Sequence, residues 1–517
     1  NLLNHRDKDV KLLTMHCVFE IMRIFAPDCP FNAKAQADIF RVFVRTVTKE
    51  LGRPGTSSFQ RSYDILASCV LVRSHVMFLD LDNEELVVEL FRSLLDCVGP
   101  DHSAEVTDKI CKSLGILIEE SLDVPQPLLD VLLHALISNE NAHSYQLSTD
   151  LIRETEEYLQ APIQRFLNSA ISGSSSCDSE LRDQHREIVY QLALVAPQII
   201  TPVVSNLEQE LVAESVETRL STVNLLGRLF SAEGGGSWIK SKQLFNAFLD
   251  RLVDKEINVR MEVLKQLRAL LECQHVKNSD LFQRGCSALE RSLQDISPEI
   301  RIEAVSAICQ IAPNSPQSHT LLESASLRLR DKKLPVRLEA LEKLAALFRL
   351  SVGNKTVKEQ LWLIPKLLRA FYDPDLRTEA SVTVQSKLIP KAISDEDCAD
   401  LWITIFEALD KPERNALKHI IVAKAKVAKA LHKYIESKDR IRSKAADVDP
   451  EAVAKALAVL GKLLNAKFNG KEGELLSKFD DLKDAKIFKG IQKALLAASA
   501  VEFREARDDV LQRVGSK

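Results

Sequence analysis

Aromatic side chains are scarce in this chain: they make up 6% of it, with only three tryptophans. Glycine and proline are scarce too, at 16 and 18 in 517 residues. That poverty argues against a sandwich or barrel, which draws on aromatic and β-branched residues for its strands and on glycine for tight turns. No apolar run approaches the ~20 residues needed to span a bilayer. None of the ten cysteines (17, 29, 69, 97, 111, 177, 273, 286, 309 and 398) forms a C-x-x-C pair. Free thiols buried in helices, in a reducing compartment, are the simplest reading. Charge of one sign is lacking as well. The net value of −4 excludes a generally basic nucleic-acid coat but leaves room for a local patch.

The signatures of chemistry are missing in the same way. There is no Gly-rich phosphate loop ending in Lys-Ser or Lys-Thr, no G-x-G-x-x-G after a strand, no H-E-x-x-H and no G-x-S-x-G. The 11 histidines are isolated. The acid pairs Glu119-Glu120 and Asp480-Asp481 read as helix-surface charge in a chain that is 27% charged. The sequence therefore predicts a protein that is not an enzyme and holds no metal or cofactor. Asn1 falls within a helical pattern, which reads as a piece of a longer protein, so the lack of a targeting segment says little.

What remains is leucine, alanine, glutamate and lysine, the bias of helices packed on helices. At 517 residues the chain is too long for one compact core, so it must divide or spread into an array. The spacing favours an array. From Asp254 the pattern runs through Val259, Arg260 and Glu262 to an apolar face at Val263, Leu264, Leu267, Leu270 and Leu271. It returns from Asp295 with Ile300, Arg301 and Glu303, and from Asp331 with Val336, Arg337 and Glu339. Arg219 heads the same register earlier, and so does Lys11 with Met15, Val18, Ile21 and Met22. Arg377 repeats it over a degraded apolar face. A period near 40 with D…[VI]-R-x-E-A at the head of a helix predicts an all-α, HEAT-repeat α-solenoid of roughly a dozen repeats, curved into a superhelix. The Asp and Arg positions are assigned to structure, as stacking contacts that hold neighbouring repeats in register.

One continuous array over 1–517 is expected. It has N-terminal repeats at 1–170, regular middle repeats at 181–400, and C-terminal repeats with a basic stretch at 401–517. The breaks at Gly52–Ser58, Ser172–Ser176, Gly234–Gly236 and Lys438–Pro450 read as loops between helices. Two segments stand out. In Ala26–Phe31 (APDCPF), Pro27 and Pro30 stop the first helix and stiffen the turn around Asp28 and Cys29. An ordinary helix stop is the plainer reading, but a rigid turn bearing a carboxylate and an aromatic also suits peptide docking. Lys418–Lys444 carries nine basic residues, among them Lys424, Lys426, Lys429 and Lys433, against Glu436 and Asp439. It is either a polyanion surface or a solvated helix face with extended lysines.

The segment Leu2–Phe31 closely resembles the opening repeat of the Pds-type cohesin regulators, the family named for precocious dissociation of sisters. Their hallmark there is Ala-Pro-Asp-Ala-Pro-Tyr. This chain keeps Ala26, Pro27, Asp28 and Pro30 and has Cys29 for Ala and Phe31 for Tyr. Ser58–Leu66 and Met77–Leu94 are similar to the family's second repeat, with a plant-like character. VRMEVLKQL and VRLEALEKL resemble its middle repeats, Phe406–Lys418 its spine, and Asp480–Lys489 a late segment.

The resemblance implies the N-terminal and central part of a hook-shaped, nuclear, chromatin-associated scaffold. It implies binding of the kleisin subunit of cohesin, for which Asp410, Lys411, Leu417 and Lys418 are the candidate residues. It implies docking of a Wapl-type release factor, a sororin-type protector and the cohesin acetyltransferase on Ala26–Phe31. Some members bind inositol hexakisphosphate, and here that ligand would fall to Lys424, Lys426, Lys429 and Lys433. Another HEAT scaffold, such as a nuclear transport receptor or a phosphatase scaffold, is the alternative, as is a polyanion- or DNA-binding solenoid.

Overall fold

The computed structural model describes residues 2–25, 29–81, 83–138, 141–171, 179–232, 242–277, 279–314, 318–354, 356–388 and 394–442, with shorter pieces at 451, 454–456, 458–461, 485–497 and 500–515. Helices carry these residues and no strand occurs among them. The chain divides into two compact units, Asn1–Val276 and Lys277–Lys517. The boundary falls inside the expected middle stretch 181–400.

The first unit opens with α1 (Lys8–Phe25), α2 (Ala33–Leu51) and α3 (Ser57–Val72). α1 packs on α2 and on α3, while α2 also packs on the helix Glu84–Cys97. Helices two apart in sequence therefore touch, and they build two layers of the HEAT type. α2 and α3 each start on a polar cap. Asn32 Oδ1 accepts from Ala35 N at 2.9 Å and Thr56 Oγ1 from Phe59 N at 3.1 Å, contacts worth about 1 kcal/mol each. The few aromatics are concentrated where layers meet. Phe19 lies 5.2 Å from Phe43 and Phe40 lies 3.9 Å from Phe78, centroid to centroid. Later in the unit, α4 (Val216–Ser231) packs on α5 (Ile257–Glu272). Gly227 lets them approach: a Cβ there would stand 2.4 Å from Gln266 Cβ.

The second unit repeats this arrangement with α6 (Pro298–Ile311) on α7 (Leu334–Gly353). It continues through α8 (Leu363–Arg369), α9 (Asp395–Glu407) and α10 (Lys411–Arg442). At 32 residues, α10 is about 48 Å long. Its later part packs Tyr434 and Ile435 against Leu460 and Phe488.

The periodic Asp and Arg form one repeated contact. Arg219 donates through Nε and Nη2 to both carboxylate oxygens of Asp254, at 2.9 and 3.0 Å, and through Nη1 to the carbonyls of Ala213 and Glu214. Arg301 does the same to Asp331, at 2.9 and 2.7 Å, and to the carbonyls of Asp295 and Ile296. Each arginine thus ties the loop before its own helix to the aspartate of the following repeat. The aspartate also closes its own loop. Asp254, Asp295, Asp331 and Asp373 each accept from the backbone N–H two residues on, at 2.8–3.0 Å. Arg337 continues the series more loosely, reaching Asp373 at 3.1 Å and the exposed Asp375 at 2.7 Å.

Some expectations shift. In α1 the buried face is Leu12, Met15, Phe19 and Met22, whereas Ile21 is exposed and Val18 half-buried. The helix places Ile21 about 100° from Met22, beyond the buried stripe. The break expected from Lys438 begins later, since α10 runs to Arg442. At Arg377 the degraded repeat becomes a short helix, Arg377–Val382, followed by a π turn over Thr383–Lys387. The breaks at Ser172–Ser176 and Gly234–Gly236 lie outside the described residues. Of the nine cysteines described, four are buried and Cys17 is exposed. Burial pushes the thiols of Cys69, Cys97 and Cys309 up to about 12.

Arg219→Ala should lower unfolding free energy by about 3–5 kcal/mol, because it strands the buried Asp254 carboxylate. Arg337→Ala should cost about 1 kcal/mol, since its partners face water. Burial alone would raise Asp254 and Asp331, but their N–H and arginine partners hold both below the usual carboxylate range. Their folded pKa values are lowered, so their stabilisation is present above the unfolded value near ~3.9 and is lost as pH falls through the folded one. Denaturant titrations at several pH values should show the Arg219→Ala deficit shrinking below about pH 4. A deficit unchanged at low pH would contradict this.

Candidate partner-docking surfaces

The first candidate surface lies at the end of α1. Ala26, Pro27 and Asp28 fall outside the described residues. Cys29 and Phe31 are half-buried and Pro30 is exposed. The exit of the turn is fixed to α2, because Gln36 Nε2 donates to the Phe31 carbonyl at 2.7 Å and Asn32 caps the helix. Beside it, α1 shows an exposed apolar stripe: Leu13, Cys17, Ile21, Ile24 and Phe25, with Ile24 68% exposed. The spacing of four, four, three and one keeps these residues along one side of the helix. Sequence reading missed this stripe because it took one apolar face for the whole helix, while α1 carries apolar residues on two.

The second surface lies at the start of α10. Asp410, Lys411 and Lys418 are exposed. Leu417 is not: it is buried beside Ala416 and Ile420, so it fixes the helix rather than presenting itself. The wholly buried Glu413 is paired with Arg369. Burial would raise its pKa, but Arg369 and backbone N–H groups lower it. Tyr372 donates from its hydroxyl to the Pro412 carbonyl at 2.7 Å. Around this anchor, Arg414 lies 4.7 Å over the Phe406 ring and His419 stacks on Phe371 at 6.3 Å. Exposed aromatic and cationic groups therefore surround Lys411 and Lys418, a neighbourhood that residue spacing did not reveal.

Lys424, Lys426, Lys429 and Lys433 are all exposed. At about 100° per residue, Lys426, Lys429 and Lys433 fall within a sector of about 60°, which Lys418 widens to about 80°. Lys424 points to the opposite side. A single flat anion could meet the first group but not Lys424 with it. The side chains of Lys438, Arg440 and Arg442, and all of Lys444, lie outside the described residues. Among the described residues no group of His, Cys, Asp or Glu is placed to hold a metal ion, and no helix is long and apolar enough to cross a membrane.

A family profile described as "Sister chromatid cohesion protein PDS5 protein" matches residues 1–517. The chain is 31% identical over 528 residues to sister chromatid cohesion protein PDS5 homolog A of Arabidopsis thaliana, covering 100% of this chain and 32% of that protein. It is 24% identical to sister chromatid cohesion protein pds5 of Schizosaccharomyces pombe, covering 95% and 43%. With PDS5 homolog A of Homo sapiens it shares 25%, covering 93% and 36%. The chain thus spans about a third to two fifths of the length of these relatives. A chain in the solved structure of the Pds5-Scc1 complex superposes with a TM-score of 0.77 at 20% identity, covering 99% of this chain and 80% of the other. That likeness shows the fold.

Leu417→Ala should lower stability by about 2–5 kcal/mol in a denaturant titration, and Lys418→Glu should stay within about 0.5 kcal/mol of the parent. Equal stability of the two variants would contradict the burial assigned to Leu417.

Proposed function

The chain belongs to the PDS5 family of sister chromatid cohesion proteins, and from that premise we propose that it is a non-enzymatic scaffold of cohesin, bound to the kleisin subunit and docking the factors that release, protect or acetylate the ring. The observation that carries the reading is the family match over the whole chain together with the retained Ala26-Pro27-Asp28 and Pro30. Scc1 in the Pds5-Scc1 complex supports a kleisin partner. Nuclear, chromosome-bound localisation follows from that association.

In this reading the two surfaces divide the work. The turn after α1 offers a carboxylate and an aromatic on a short segment held by two prolines. Little ordering entropy is lost when a peptide of a release factor, protector or acetyltransferase settles there. Phe31 brings no hydroxyl, so a peptide group that would hydrogen-bond a tyrosine at this position gains nothing here. The exposed stripe of α1 extends the docking surface along the helix. The start of α10 serves the kleisin through Asp410, Lys411 and Lys418, with Leu417 setting the helix beneath them. The stripe Lys426, Lys429 and Lys433 serves a polyanion, inositol hexakisphosphate by family resemblance, with Lys424 outside the same contact.

The test is a pair of binding assays on the intact chain, one with a kleisin fragment and one with a Wapl-type peptide. Asp28→Lys should abolish peptide binding while leaving kleisin affinity and melting temperature nearly unchanged. Retention of both partners by the variant would overturn the assignment of the turn. Failure of both to bind the unsubstituted chain would overturn the scaffold reading itself.

A further inference from the structure

A cavity of about 450 Å³ in the second unit lies between the 3-10 turn Leu327–Arg330, the start of α7 and α8. Its charged lining consists of Arg330, Arg337, Lys366 and Arg369 with Asp331 and Asp373. Four cations against two carboxylates is an imbalance, and the pairings sharpen it. Asp331 is already held by Arg301 and by Arg328. Asp373 is engaged by Arg337, and Arg369 is paired with Glu413. Arg330 and Lys366 remain. Among the described residues no carboxylate lies within ion-pair distance of either. The Lys366 ammonium donates one hydrogen bond, to Ser326 Oγ at 2.8 Å, and stands 4.6 Å over the Trp362 ring.

Lys366 is half-buried, while Arg330 stands exposed at the rim. Burial lowers the pKa of Lys366; Glu323 opposes the shift, and the like charge of Arg330 adds to it. Both residues line the cavity, and beyond the Ser326 hydroxyl neither has a protein acceptor among the described residues. A dianion with several oxygens would satisfy both at once, since a guanidinium matches a phosphate edge with two parallel bonds. The volume exceeds that of a single water many times over, so a phosphoryl group fits together with part of the molecule that bears it. The rim adds a second property: Leu327 lines the cavity and is 58% exposed. A ligand that joins a phosphate to an apolar neighbour would use both.

We propose that this cavity is a binding site for a terminal phosphoryl group, held by Lys366 and Arg330, with Leu327 receiving an apolar neighbour where the ligand has one. It is separate from the lysine stripe of α10 and does not depend on the scaffold reading. The same chemistry comes from two sources, a phosphorylated side chain of a partner segment or a small free polyphosphate.

Calorimetric titration of the whole 517-residue chain at fixed ionic strength tests it. The probes are inorganic pyrophosphate, the peptide acetyl-Leu-phosphoserine-Leu-amide and its unphosphorylated twin. The expected result is saturable binding of at least one phosphorylated probe and none of the twin. Arg330→Gln and Lys366→Met should each weaken it at least about tenfold, the loss of one charge-assisted contact, while Lys429→Gln should leave it unchanged. Arg330 is exposed, so if Lys366→Met lowers the melting temperature, Arg330→Gln carries the test alone. Tighter binding of the phosphopeptide, reduced by Leu327→Ser, assigns the partner segment. Tighter pyrophosphate, indifferent to Leu327→Ser, assigns the free polyphosphate. Absence of saturable binding, affinity unmoved by Arg330→Gln, or loss with Lys429→Gln would overturn the proposal.

Discussion

The contact from an arginine to the aspartate of the next repeat is the constraint on which these stacks depend. A helix pair with an apolar face could slide along its neighbour by a turn and still bury leucine against leucine. The guanidinium removes that freedom. Arg219 and Arg301 each grip both oxygens of the next repeat's aspartate, and each also closes the carbonyls ahead of its own helix. A buried ion pair is a poor source of net stability, because desolvation consumes much of the Coulombic gain. It is a good source of register, since any displacement leaves a charge unpaired in a nearly dry place. The two-residue turn made by each aspartate prepares its carboxylate for this role before the arginine arrives.

The candidate surfaces lie where that contact is absent or loosened. After Arg337 the partner aspartates are more exposed, and Arg377 no longer reaches a carboxylate of the series but lies over the Phe371 ring at 5.6 Å. The chain then leaves the short-helix pattern for α10, whose residues 421–426 are exposed on every side. At the other end, α1 begins with a different tie: Lys8 meets the buried Glu50 at 3.1 Å in place of an Arg–Asp fork.

Much of this was legible in the sequence, and the reason is physical. The HEAT period shows because each repeat must present the same Asp, the same Arg six residues on and the same apolar face, so the constraint prints itself three times between Asp254 and Arg337. Side-chain exposure was less legible. Ile21 and Leu417 are both apolar residues on amphipathic helices, yet one faces outward and the other inward, since the neighbouring helices decide which stripe is covered. The lysines of α10 read as one cluster in sequence, whereas the helical rotation sets Lys424 apart from Lys426, Lys429 and Lys433.

The charged cavity was illegible for a different reason. Its cations come from three short segments that, read linearly, look like the basic half of ordinary surface charge. Nothing in the order of residues says that Arg337 and Arg369 are neutralised by Asp373 and Glu413 while Arg330 and Lys366 are not. That distinction exists only once partners are counted in space. It also separates structural from available charge in this fold. Arg219 and Arg301 are each matched by a carboxylate that the next repeat supplies, so their positive charge is consumed in holding the stack. Arg330 and Lys366 sit one helix away from the same ladder and receive no such carboxylate, although Asp331 lines the cavity with them. Asp331 is unavailable because the register contact with Arg301 has already claimed both its oxygens. The contact that fixes the stack is thereby also what leaves two cations facing the cavity unmatched.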